Sequence, residues 1–203
     1  MTASELSILN GESELVKTRV GAFPAIEEPF PVRSWIIDSM LRDKNLVPLS
    51  RQHQHALALC VRIHRAALST PAELKVWQSE VQQHFDEEIH AHFIAEETHI
   101  FPAARRHPEL SPLVDELLAE HRQLRHGFAQ ARARALDRAA LRKFAEALSA
   151  HIRKEERRLF EGLQAKMTTE ELRGVGERIQ EVLAQTPRAC IVPTETALKN
   201  SNR

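Results

Sequence analysis

The stretch HFIAEETHIFP (92–102) returns further along the chain as HIRKEERRLF (151–160). Each copy sets a histidine and a glutamate at i and i+4, His92 with Glu96 and His151 with Glu155. On a helix such residues project from one face about one turn apart, close enough to hold a metal between them. The flanks repeat as well: Phe85 and Phe144 lie seven residues before the histidines, and Ile89 and Leu148 lie three before. Glu97 and Glu156 follow the carboxylates, and Phe101 and Phe160 close the two segments. A single HxxxE pair is most often a solvated contact worth about 0.2–0.5 kcal/mol. Two copies with matched flanks form an internal repeat. Its inward polar groups need partners, because burying them alone is costly.

The repeat demands helices, and helix signals punctuate the chain accordingly. LVPLSRQHQHALALCVRIHRAAL, from Leu46, places His53, Leu57, Cys60, Val61, His64 and Leu68 on one stripe. Thr70, Pro71 and Glu73 combine an N-cap, a proline at the first helical position and a capping-box glutamate. The helix they open runs past Glu96 to about Arg106. Ser111-Pro112 opens a third helix with Leu113, Leu117, His121, Leu124 and Phe128 inward. Asp137 caps a fourth, which carries His151 and Glu155 to near Met167, and Thr168 with Glu171 caps a shorter fifth, to about Gln185. Residues 1–45 read as an N-terminal extension, irregular around GAFPAIEEPFPV, with a short helix in which Ile36, Ile37, Met40 and Leu41 share a face. Residues 168–203 read as the short helix followed by a loose tail. The expectation is an all-α chain, with an up-down-up-down four-helix bundle over residues 46–167.

Each half of the repeat carries one more inward histidine on its first helix. Leu49 and Leu117 sit four residues before His53 and His121, and Leu46 and Val114 sit seven before. In a bundle, His53, His92, His121 and His151 with Glu96 and Glu155 make six ligands at one level. They suffice for two metal ions, each with two imidazoles and bridged by the two glutamates. Imidazole with carboxylate suits iron, zinc or copper, whereas magnesium and calcium prefer oxygen alone. A bridging carboxylate pair in a bundle core favours di-iron or di-manganese. A ferritin-like site would need ExxH on two helices, but Glu87-xx-His90 and Glu96-xx-His99 share one helix and the second half offers no counterpart.

HFIAEETHIFP, LSRQH and HIRKEERRLF together resemble the hemerythrin-like (HHE cation-binding) family over about residues 46–167. The resemblance assigns ligand roles to His53, His92, Glu96, His121, His151 and Glu155. It implies two iron ions in a non-haem centre bridged by both carboxylates and an oxo or hydroxo group. Bacterial relatives are associated with binding or sensing oxygen, nitric oxide or redox state, or with iron handling. Oxygen-carrying members have a second histidine on the third helix, four residues after the first, where this chain has Arg125. His126 is out of phase by about 100°. The sequence therefore suggests two histidines per ion, room for water or another exogenous ligand, and a role other than plain oxygen storage.

The remaining residues bound the function further. Lysine and arginine number 28 against 28 acidic residues, so no basic field argues for nucleic acid. No apolar run approaches the roughly 20 residues of a membrane span, and the first residues lack the pattern of a signal peptide, so the expected location is the cytoplasm. Two cysteines, Cys60 and Cys190, exclude a disulfide framework, and the absence of tyrosine excludes tyrosyl-radical chemistry. Cys60 reads as a small core residue, and His64, about 16 Å along the helix from His53, is too far for the same centre. Glu88, four residues before His92, has two readings: an exposed glutamate near His84, or a carboxylate that supports the site by pairing with Arg125. The leading function is a di-iron protein that binds or senses oxygen, nitric oxide or redox state. One alternative is an enzyme that reduces peroxide or oxygen or repairs iron–sulfur clusters. The repair version is weakened because no cysteine precedes Cys60. Another is an interaction module with structural metal, in which the first 45 residues form a homodimer.

Overall fold

The computed structural model describes residues 42–185. The irregular segment and short helix expected before Arg42, and the tail after Gln185, lie outside the described residues. Within them the chain forms helices and no strand. Helix α1 spans Val47–Arg65. Helix α2 (residues 71–105) joins Pro71–His84, His90–Ala95 and Phe101–Arg105 through two π turns, Phe85–Ile89 and Glu96–Ile100. Helix α3 is Ser111–Arg132. Helix α4 (residues 138–166) joins Arg138–Lys154 to Glu161–Lys166 through a π turn at Glu155–Phe160, and α5 is Thr169–Ala184. None of these helices is long and apolar enough to cross a membrane.

The helix ends follow the local signals. Thr70 and Thr168 each accept a hydrogen bond from the backbone N–H three residues on, while Glu73 and Glu171 reach back to the cap residue. Asp137 accepts from the Ala140 N–H at the start of α4. Each such cap contributes about 1 kcal/mol. The stripe of α1 departs from the sequence expectation. Leu57, Val61 and His64 are half-buried, while Ala56, Leu59 and Ile63 join His53 and Cys60 inside. Inward residues at 49, 53, 56, 60 and 63 alternate spacings of four and three, as one face of a helix requires.

Two apolar cores flank a polar layer. One gathers Ile63, Trp77, Val81, Phe93, Phe128, Phe144 and their neighbours. The other gathers Leu46, Leu49, Ile100, Phe101, Leu117, Phe160 and the inner face of α5. Helix α1 lies along α4, the first part of α2 lies along α3, and α5 covers the middle of α2 at His90–Ala95 and Glu96–Ile100. The α5 helix comes close because Gly176 has no side chain: a Cβ there would stand 2.5 Å from Asn45 Cβ and 3.0 Å from its Cα. In an open helix, Gly→Ala would gain about 1 kcal/mol. Here the backbone of Asn45 cannot yield as a side-chain tip would, so Gly176→Ala should instead cost about 1–3 kcal/mol. Urea denaturation checks this. A raised midpoint would show that α5 is not seated against residue 45.

Candidate metal centre

The polar layer consists of the six residues that the repeat marks out. His53 comes from α1, His92 and Glu96 from α2, His121 from α3, and His151 and Glu155 from α4, none more than 2 % exposed. In both halves a π turn begins at the glutamate, Glu96 in α2 and Glu155 in α4. In α2 the wide turn hydrogen-bonds the Phe101 N–H to the Glu96 carbonyl and precedes Pro102. A proline ring clashes with the carbonyl four residues back, so a widened turn suits it. Yet α4 has Glu161 at the corresponding place and the same turn. What both share is the glutamate pair, and the extra residue turns Glu97 and Glu156 toward neighbouring helices.

The imidazole Nε2 atoms and carboxylate oxygens fall into two lobes. In the first, His92 Nε2 lies 3.2 Å from Glu96 Oε1, and His53 Nε2 lies 3.2 Å from Glu155 Oε2 and 3.9 Å from Glu96 Oε1. In the second, His151 Nε2 lies 3.1 Å from Glu155 Oε1, and His121 Nε2 lies 3.4 Å from Glu96 Oε2 and 3.7 Å from Glu155 Oε1. Ligand atoms of His53, His92, Glu96 and Glu155 lie within 4.8 Å of one another, as do those of His121, His151 and Glu155. Each glutamate therefore offers one oxygen to each lobe. All four carboxylate oxygens and the Nε2 atoms of His53, His121 and His151 are buried without a hydrogen-bond partner. They approach one another at 3.1–3.9 Å without hydrogen-bond geometry. Such a donor set fits cations held by nitrogen and oxygen.

On the far side of every imidazole, Nδ1 is engaged. His53 contacts Glu156 at 2.6 Å, His121 contacts Glu97 at 2.7 Å, His151 contacts Glu120 at 2.8 Å and His92 contacts Gln52 at 3.0 Å. This fixes each ring so that Nε2 faces the centre. Glu156 is backed by Arg42 at 2.8 Å, Glu97 by Arg125 at 2.6 Å, and Glu120 by Lys154. Sequence reasoning noted Glu97 and Glu156 as matched flanks, set Glu97 off the His92 face by ideal helix phase, and passed over Gln52 and Glu120. The usable signal was positional: Gln52 and Glu120 each precede the extra histidine of their half.

The electrostatics make the site a strong proton trap when no cation is bound. Burial opposes a charged His53, but Glu155 and Glu156 outweigh it and push its pKa up to about 10. Burial likewise opposes a charged His121, yet Glu155, Glu96 and Glu97 raise it to about 11. Burial and the charge of Glu155 oppose ionisation of Glu96, but His92 and His121 hold it below the usual carboxylate range. The hydrogen bond from His121, with Arg125 behind, holds Glu97 at about 2. At pH 7 both His53 and His121 are therefore protonated in the metal-free protein, and a cation taking their Nε2 must displace those protons. Uptake of a divalent cation should release at least two protons per chain and weaken as pH falls, by about tenfold per pH unit for each proton. Calorimetry in buffers of different ionisation enthalpy measures this. Uptake without proton release would contradict the site.

One expectation needs correction. Glu88 does not support the site through Arg125; it pairs with His55 of α1 at 3.0 Å. The Phe85–Ile89 π turn separates it from simple helical phase, and it leans toward α1 while Arg125 belongs to α3. Arg125 pairs with Glu97 instead and lies 5.1 Å from the centre of the Phe93 ring. His126 is exposed, as its phase requires. Cys60 is buried and its thiol is pushed up to about 12, which suits a core residue.

Comparison with known proteins agrees with this geometry. The family described as "Hemerythrin HHE cation binding domain" matches residues 47–163, from the start of α1 into the last part of α4. Searches of curated proteins and of solved structures found no match. The match spans more than half of the chain and contains all six inward ligand candidates, so the chain belongs to the hemerythrin HHE cation-binding family.

Proposed function

We propose that the protein is a non-haem di-iron protein that binds or senses oxygen, nitric oxide or redox state. The observation that carries this reading is the pairing of lobes: Glu96 and Glu155 each turn one unpartnered oxygen toward each of two histidine pairs. His53 and His92 would hold one ion, His121 and His151 the other, with both glutamates bridging. Bound there, an iron pair would supply the electrons and exchangeable positions with which diatomic ligands combine. The surrounding residues hold the imidazoles in one tautomer, exclude bulk water and leave two histidines, not three, for the second ion. The short links between the four long helices support an up-down-up-down bundle, which would bring these residues to one level.

The two flanks of the centre differ in access. On one side Arg42 and Glu156 have side chains 2 % and 12 % exposed, and on the other Arg125 and Glu97 are 35 % and 29 % exposed. Arg125 also lines a cleft of about 460 Å³ with Phe85, His90 and Phe128. Small ligands would approach from this side, toward the ion held by His121 and His151. The nearby guanidinium, engaged by Glu97, takes the place of a fifth imidazole. This arrangement favours signalling or reaction over stable oxygen storage.

Reconstitution with Fe(II) should give two irons per chain, and one or none by metal analysis would overturn the reading. Glu96→Ala should lose more than one iron, since that carboxylate serves both lobes and its loss strands buried imidazoles. Retention of two irons by that variant would show that the bridge lies elsewhere. A spectrum that changes with oxygen or nitric oxide, without turnover, supports binding or sensing. Sustained peroxide consumption would favour an enzyme instead.

A further inference from the structure

The hydrogen bonds behind the four imidazoles break the symmetry of the repeat. In the His121/His151 lobe both Nδ1 atoms face carboxylates, Glu97 at 2.7 Å and Glu120 at 2.8 Å. In the other lobe His53 faces Glu156 at 2.6 Å, but His92 faces the neutral side-chain amide oxygen of Gln52 at 3.0 Å. The three contacts to carboxylates are the shorter ones, as charge-assisted hydrogen bonds are. Gln52 and Glu120 occupy the same place in the repeat, one residue before His53 and His121, and each supports the His/Glu helix of its own half. The Nδ1 partners of the two lobes thus differ by one residue type at one repeated position.

We propose that the two metal positions are electronically unequal, with Gln52 behind His92 and Glu120 behind His151 setting the difference. This rests on the di-iron reading above. A carboxylate that accepts the Nδ1 proton draws it away from the ring and raises the electron density at Nε2, making the imidazole a stronger donor. Stronger donation stabilises the more positive ion. The amide oxygen of Gln52 carries no net charge and polarises His92 less. Lys154 beside Glu120 moderates that carboxylate but does not make it neutral, as Gln52 is. Starting from two ferric ions, the first electron therefore enters the His53/His92 lobe, reducing that Fe(III) to Fe(II). The ion between His121 and His151 stays ferric until a second electron arrives. Gln52 and Glu120 are positioning residues in this account, acting through the imidazoles.

The test is an anaerobic dithionite titration of the full chain, reconstituted with iron, with the potential of each one-electron step read spectroscopically. The wild type should reduce in two separable steps. Gln52→Glu should lower the upper potential, and Glu120→Gln should raise the lower one. Each change should alter the Fe(III)/Fe(II) ratio at fixed potential by about tenfold or more. The two exchanges are nearly isosteric and their shifts have opposite sign, so either variant can carry the test if the other loads poorly. Two irons in wild type and variants with unmoved potentials, or shifts in the same direction, would overturn the inference alone. Failure of both variants to load would also overturn it, since these residues would then be scaffold rather than electronic controls. A wild type holding fewer than two irons would overturn the di-iron reading and the inference with it.

Discussion

Four imidazoles and two carboxylates are buried together in the middle of this bundle, and almost everything else in the structure serves their satisfaction. An unpaired buried polar group costs about 1–3 kcal/mol and a buried charge considerably more. The protein answers on two sides. Outward, every Nδ1 has a hydrogen-bond partner, and three of the four partners are carboxylates backed by a cation. Inward, the Nε2 atoms and carboxylate oxygens contact only one another, in a geometry that suits shared cations better than hydrogen bonds. The apolar clusters above and below supply the hydrophobic stabilisation that such a polar layer cannot. Aromatic rings hold the layer from both sides, with Phe160 stacked on His53 and Phe93 on His121.

The centre was legible in the sequence because a repeat leaves two copies of the same constraint. His92, Glu96, His151 and Glu155 announce themselves by matched flanks, and His53 and His121 by their place on inward stripes. Helix starts were legible too, since a Thr or Asp cap acts over three residues and needs no tertiary information. The π turns were not. Nothing in local propensity marks them, and they alter the phase of every residue that follows. Glu97 shows the consequence. Ideal α geometry turns it some 140° from His92, yet it reaches His121 at 2.7 Å once the turn at Glu96 widens. The same effect misdirected the reading of Glu88, whose partner is His55. The stripe of α1 was misassigned for a different reason: several apolar residues there are half-buried, so apolar character alone did not mark the inward face.

Pseudo-symmetry also explains how one repeated plan yields two unlike halves. His53 and His121 are supported across the repeat, by Glu156 and Glu97 from the opposite half, whereas His92 and His151 are supported within their own half. The crossed contacts lock the two halves together at the centre. The local contacts are free to diverge without disturbing that lock, and they have: Gln52 in one half, Glu120 in the other. Exposure has diverged as well, with Arg42 buried and Arg125 bordering a cleft. Family membership supplies the plan, and these departures give the chain its own chemistry.

The central claim is that Glu96 and Glu155 bridge two ions held by separate histidine pairs. Diffraction from crystals of the iron-loaded protein, recorded on both sides of the iron absorption edge, tests it most directly. The account predicts two anomalous peaks per chain, one beside His53 and His92 and the other beside His121 and His151, each touched by both glutamates. A single peak, or peaks away from these residues, would contradict it.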